Sequence, residues 1–288
     1  MDLEIEPSSE RLKEAVRQLK EWMVKEPHLP NIDDEEWLLT FFYNNKFSLE
    51  KTKSKLDGYY SLKNKYPHIL KNRDPLAPEM LLSRNAVTLC ISDKLTKDGC
   101  RMLFCKMSSD SSIFHAGDFF KRIFMGLDML LLEKDRLVNY IFISDFKDHR
   151  YQHFLKLLTE IKSGSEIFIK AYTERLKSIH LINVPPYVDK MVEVITAHFP
   201  KKYADRIFIH TTSKNMVTEM VDVDVLSSDA GGKGPSLKYY SEYTQGKFDN
   251  YRSWFAEQDN VCSNDQLRRG RDNQQEELKG SFRKLDID

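Results

Sequence analysis

Apolar positions divide the chain into a helical opening and a longer stretch in which strand-like and helix-like patterns alternate. Between residues 9 and 66 the spacing is helical. Leu12, Val16, Leu19 and Trp22/Met23 make one stripe that ends before Pro27. Asp33 followed by Glu36 reads as a capping-box-like start for a second helix carrying Trp37, Leu38, Phe41 and Phe42. Ser48 caps a third, striped by Leu49, Thr52, Leu56, Tyr59 and Tyr60 and stopped by Pro67. Short amphipathic helices of this kind bury their stripes only against one another or against the next domain.

Residues 72–85 read as a linker with a short helix, followed by two β-like runs, Ala86 to Ile91 and Arg101 to Met107, joined as a hairpin. The longest apolar helix falls in 113–135, with Phe120, Ile123, Phe124, Leu127, Leu130 and Leu131 on one wide face and Asp118, Lys121, Arg122 and Asp128 outside it. The near-continuous apolar run 139–145 marks a strand covered on both faces. Tyr140, Phe142 and Ser144 share one face, and Ile141, Ile143 and Asp145 the other. Helical stretches follow at 149–161 and 164–173. A strand over 179–184, a helix with Val188, Met191, Val192, Ile195 and Phe199 on one side, and the run Arg206 to Ile209 then make a crossover unit. Asp222 and Asp224 alternate with valines as on the polar face of a strand.

These patterns predict an α/β protein: a mixed, mostly parallel sheet flanked by helices, preceded by a small all-helical module. The expected division is 1–75 for the module, 76–260 for the α/β domain and 261–288 for a disordered tail, because polar and charged residues dominate from Ser263 onward. Basic and acidic residues number 44 each, so a nucleic-acid or membrane attraction has to come from a local patch. Four cysteines at irregular spacing (Cys90, Cys100, Cys105 and Cys262) fit neither a disulfide framework nor zinc. The first residues lack the pattern of a signal peptide, and no uncharged run is long enough to span a bilayer, so the expectation is a cytoplasmic monomer.

The search for chemistry mostly eliminates. In Gly231-Gly232-Lys233-Gly234-Pro235-Ser236 the lysine is followed by glycine, and no helix can start in the register a phosphate loop needs. His149 and His153 have the spacing of metal ligands, but Arg150 stands where a metalloprotease needs glutamate and no third ligand is evident, so both read as surface histidines. No nucleophile elbow or dinucleotide fingerprint occurs. The expectation is a non-enzymatic protein with no cofactor, no metal and no nucleic-acid partner.

The stretch Arg175-Leu176-Lys177-Ser178-Ile179-His180-Leu181-Ile182-Asn183-Val184-Pro185, with Lys202 and Arg206 downstream, resembles the CRAL-TRIO lipid-binding family. Within it, the resemblance is to the branch of alpha-tocopherol transfer protein and cellular retinaldehyde-binding protein. Leu38 to Phe47 and Tyr59 to Pro75 resemble the family's N-terminal helices. Asn45 stands where the family tends to carry a phosphate-contacting arginine, and Leu226 to Gly232 departs from its Leu-Pro-x-Glu-Tyr-Gly-Gly ending.

The resemblance implies a cavity for one lipid between a sheet face and its helices. Carried over by position, Phe120, Ile123, Phe124, Leu127, Tyr140, Phe142, Ser144, Ile167, Phe168, Ile179 and Leu181 would line it, with Val188, Met191, Val192 and Ile195 as its lid. Tyr140, Ser144 and His180 are the groups available to orient a polar end, which favours a tocopherol, retinoid, carotenoid or other isoprenoid-like lipid carried between membranes. Arg175, Lys177, Lys202 and Arg206 would meet anionic headgroups, phosphoinositides included, in transient membrane contact. The alternatives are a phosphatidylinositol or phospholipid exchanger of the same fold, and a lipid-regulated protein-interaction module.

Overall fold

A computed structural model describes residues 8–133, 136–172, 175–210 and 215–269. The N-terminal helices are α1 (Ser9–Lys25), α2 (Glu35–Asn44), α3 (Leu49–Lys65), the single turn α4 (Pro67–Leu70) and α5 (Pro78–Ala86). Ser8 and Ser48 cap α1 and α3, accepting from the backbone N–H three residues on. Asp34, rather than the expected Asp33, caps α2 by accepting from Trp37 N at 3.0 Å. Glu35 and Glu36 then fall in the first turn, where the helix dipole favours them.

The sheet consists of β1 (Val87–Leu95), β2 (Cys100–Met107), β3 (Asn139–Asp145), β4 (Leu176–Ile182) and β5 (Ile207–Ile209), in that spatial order. The β1–β2 hairpin is antiparallel and the other pairings are parallel, so the sheet is mixed as expected. Parallel neighbours need long connections. These are α6 (Ala116–Leu132) between β2 and β3, α7 (Tyr151–Leu158) with α8 (Ile161–Ala171) between β3 and β4, and α9 (Val188–Thr196) with the one-turn α10 (Lys201–Ala204) before β5.

One sheet face, with Met102, Phe104, Ile141, Ile143 and Ile182, is closed by the C-terminal part of the chain: α11 (Asn215–Met220), the loop to Gly234 and α12 (Leu237–Asn250). Tyr240 of α12 stacks on Phe104 at 5.3 Å. Asp222 and Asp224 are not on a strand. Asp222 accepts from Lys97 N at 2.8 Å, and Asp224 pairs with the Lys97 ammonium at 2.7 Å, so the alternation with valines reflects a turn tied to the hairpin. The helix after Ser236 starts at Leu237, beyond the glycine-rich loop, whose amides are spent within it (Gly232 N to Ser227 O and Gly234 N to Leu226 O).

The N-terminal module is welded to the other side. The α3 and α8 backbones touch at Gly58, where a Cβ would fall 2.2 Å from Lys170 O. The side of α6 read as solvent-facing is covered too: Lys121, Arg122 and Asp128 are all buried. Arg122 donates to Ser83 O and Val87 O at 2.9 and 2.7 Å. Asp128 pairs with buried Arg73 and accepts from the hydroxyls of Tyr59 (3.1 Å) and Tyr172 (2.9 Å). A final helix, α13 (Arg252–Gln258), leads to residues 261–269, which fold back on the module. Ser263 N donates to Tyr60 O at 3.1 Å, Asn264 N to His28 O at 2.7 Å, and Arg268 clasps Asp57 at 2.7 Å. The tail expected from Ser263 onward is therefore ordered as far as Arg269, because its polar residues find fixed partners; 270–288 lie outside the described residues.

Candidate ligand cavity

The other sheet face carries one row across four strands: Leu103 beside Phe142, Phe142 beside Ile179, and Ile179 beside Ile207. These four are the floor of a cavity of about 250 Å³. One wall is α6, whose residues Phe120, Ile123, Phe124 and Leu127 (spaced i, i+3, i+4, i+7) all face inward. The opposite wall is Gly164 and Phe168 of α8, four residues apart. Ile195 and Thr196, then Phe199 and Tyr203, close the roof. Phe168, Phe199 and Tyr203 meet there in edge contacts with centroids 5.7–6.3 Å apart.

The surface facing the cavity is almost wholly apolar. Two of its polar residues, Thr196 and Arg175, commit groups to backbone carbonyls elsewhere. The Thr196 hydroxyl donates to Val192 O at 2.7 Å. Arg175 lies against the cavity, but its guanidinium reaches out to the module and donates to Tyr43 O at 3.0 Å. Asn45, two residues further on, is buried and donates to Phe41 O at 2.9 Å, which commits it to the end of α2.

Of the residues expected to surround a ligand, Phe120, Ile123, Phe124, Leu127, Tyr140, Phe142, Phe168, Ile179 and Ile195 line this cavity. The others are placed around it. Ser144 and Leu181 pair with each other one row further along the same sheet face. Ile167 is fully buried in the core between helices. Val188 and Met191 are buried and Val192 half-buried, but α9 reaches the cavity only at its last turn. The crossover explains why. A helix leaving the end of one parallel strand runs back toward the start of the next, whereas the cavity lies at the strand starts, around Tyr140 and Leu176. The same geometry brings in residues that the sequence reading passed over: Leu103, Gly164, Leu176, Thr196, Phe199, Tyr203 and Ile207. Phe199 was visible as a member of the lid stripe, and Leu103 through the alternation of its strand.

His180 points away from the cavity. It packs on the opposite sheet face, with Nδ1 3.0 Å from His210 Nε2 and Nε2 2.9 Å from Ser178 Oγ. Burial, reinforced by His210, pushes its pKa down to about 4. His149 and His153 are not surface residues either, being 8% and 0% exposed. Their rings are 5.3 Å apart, and His149 Nδ1 lies 3.1 Å from the Tyr187 hydroxyl just before α9. Burial, then the neighbouring His153, pushes His149 down to about 4, so the pair packs neutral. Among the described residues no group of three His, Cys, Asp or Glu could hold a metal.

The four basic positions are divided. Arg175 is interior, Lys177 is exposed and paired with Asp98, and Arg206 donates to Leu176 O beside the cavity floor. Lys202 is exposed, its ammonium 5.0 Å from the Tyr203 ring that closes the roof.

Two family models match the chain: "Pinta-like, UBA domain" over residues 8–80 and "CRAL/TRIO domain" over 86–232. The chain belongs to the CRAL/TRIO family. It is thereby a member of a family of lipid-binding and lipid-transfer proteins. It is 23% identical over 228 residues to "Alpha-tocopherol transfer protein-like" of Homo sapiens, an alignment covering 77% of this chain and 66% of that protein. The Mus musculus protein of the same name gives 23% identity over 77% and 65%. "Clavesin-1" of Xenopus laevis is 21% identical over 85% of this chain and 80% of its own length. The chain thus spans slightly under two thirds of the first of these relatives. A solved structure, "Crystal structure of Sfh5", superposes with a TM-score of 0.48 at 13% identity, covering 72% of this chain and 83% of that one. In CRAL/TRIO terms, the sheet, α6, α8 and the α9–α10 crossover are the lipid-domain elements, and α1–α4 lie within the Pinta-like match.

Proposed function

We propose that this protein binds one hydrophobic small molecule, of tocopherol, retinoid, carotenoid or similar isoprenoid type, over the Leu103–Phe142–Ile179–Ile207 row and carries it between membranes. The observation that carries the reading is the cavity itself: its surface is almost wholly apolar, and the Arg175 guanidinium and the Thr196 hydroxyl donate to backbone carbonyls. A buried phosphate would need charge-assisted donors inside. This counts against a phospholipid with its headgroup in the cavity, and Asn45 in place of an arginine counts the same way. At about 250 Å³ the cavity is smaller than the roughly 300–1,000 Å³ usual for organic ligands, so the roof at Phe199 and Tyr203 moves outward on loading. Exposed Lys202, beside that roof, is the basic position best placed to meet an anionic surface, and Lys177 joins it only by giving up Asp98. The setting is the cytoplasm, in keeping with four free cysteines.

Phe142→Asp tests the reading. Phe142 faces the open space, whereas Phe124 is clamped between Phe120 and Tyr172, so a change at Phe142 disturbs the core less. A carboxylate on the cavity floor has no partner to offset its desolvation. Retinol affinity, read from retinol fluorescence, is expected to fall by at least about tenfold in a variant that keeps the wild-type circular dichroism. Wild-type affinity in the folded variant would place the ligand elsewhere. Should Phe142→Asp fail to fold, Ile195→Glu in the roof applies the same test.

A further inference from the structure

Phe120 is held from one side by a ladder of rings. It stacks on Phe124 with centroids 6.3 Å apart, and Phe124 stacks on Tyr172 at 5.1 Å. Tyr172 in turn is fixed by its hydroxyl, which donates to Asp128 at 2.9 Å. On the other side the ring lies against Gly164 of α8. A Cβ placed on Gly164 would fall 2.3 Å from Cε1 of Phe120 and 2.6 Å from both Cδ1 and Cζ. No carbon–carbon contact survives at such distances, so the ring keeps its position only because residue 164 has no side chain. Both residues line the cavity. A ring displaced from α8 and blocked by the ladder has one way to go, into the space left for a ligand.

Building on the lipid-carrying reading above, we propose that the Phe120–Gly164 contact sets the girth of the ligand, making these two the specificity-determining pair of the cavity. Glycine keeps the ring withdrawn and leaves room for a ligand with a cyclic end. A methyl at 164 advances the ring and leaves room for a linear chain only. A smaller side chain at 120 widens the space, whatever stands at 164. Overpacking of the ligand space by one group discriminates between ligands by about tenfold or more.

The test uses the full chain and two radiolabelled probes, retinol with its trimethylcyclohexenyl ring and hexadecanol, a linear alcohol. Affinities are compared as the ratio of retinol to hexadecanol binding. Gly164→Ala is expected to lower that ratio by at least about tenfold, and adding Phe120→Leu to restore it. Phe120→Leu alone is expected to raise the ratio. A ratio unchanged in both single variants overturns the proposal while leaving the lipid-carrying reading intact, provided the wild type binds both probes. A wild type that binds neither overturns both. Should Gly164→Ala not fold, Phe120→Leu decides: a raised ratio supports the proposal and an unchanged one overturns it.

Discussion

The carboxylate of Asp128 ties together residues from three distant parts of the chain: Tyr59 of α3, Arg73 of the linker and Tyr172 at the end of α8. All are buried, and the Arg73 guanidinium also lies over the Phe255 ring of α13 at 5.5 Å. Removing one partner of such a pair leaves a charge without compensation, at a cost of about 3–5 kcal/mol, whereas replacing both by apolar groups costs far less. Arg73→Met is therefore expected to lower the unfolding free energy by about 3–5 kcal/mol in denaturant titration, and Arg73→Met with Asp128→Leu to recover much of it. A double variant as damaged as the single would show that Arg73 acts by packing alone. None of this was legible beforehand. Asp128 sits on the polar side of an amphipathic helix, and periodicity cannot say whether that side meets water or another domain. The same limit hid the burial of His149 and His153, which read as surface histidines once no third metal ligand was evident.

At the scale of elements, strand and helix periodicity gave the sheet and its crossovers, and four of the six residues of the α6 stripe, Phe120 to Leu127, line the cavity, while Leu130 and Leu131 are buried in the core. What it could not give was depth along the sheet. Val188 and Phe199 were read as one stripe, yet Val188 opens α9 and Phe199 lies past its last turn, which puts one outside the cavity and the other over it. The working end of the roof is thus Ile195 to Tyr203. Phe199, packed on Phe168 and Tyr203, closes it. Phe199→Ala is expected to speed retinol release by about tenfold while changing equilibrium affinity much less, because the truncated ring lowers the barrier to opening for loading and unloading alike. Stopped-flow transfer of retinol to acceptor vesicles reads this directly. An unchanged off-rate would move the gate elsewhere.

Across the whole molecule, the module and the C-terminal segment act as structural parts of the lipid domain. Gly58 brings α3 onto α8, Arg175 of the cavity edge holds Tyr43 O, and residues 263–268 bind back to α3 and His28. A partner that needed the inner faces of the module would have to displace these contacts, which weighs against the interaction-module alternative. The helical opening was readable from its stripes and caps, but its attachment was not: the close approach at Gly58, the buried Asp128 cluster and the donors to backbone carbonyls carry no signature in a sequence. No helix among the described residues is long and apolar enough to cross a membrane.

The central claim is that an apolar cavity with no phosphate-binding group selects a neutral isoprenoid over a phospholipid. The direct measurement incubates the protein with vesicles containing equimolar tocopherol, retinol, cholesterol and phosphatidylinositol, re-isolates it and identifies the bound lipid by mass spectrometry of its organic extract. One neutral isoprenoid at close to one molecule per chain, absent from Phe142→Asp, is the predicted result. Phosphatidylinositol as the retained lipid, or no lipid retained by the folded wild type, would contradict it.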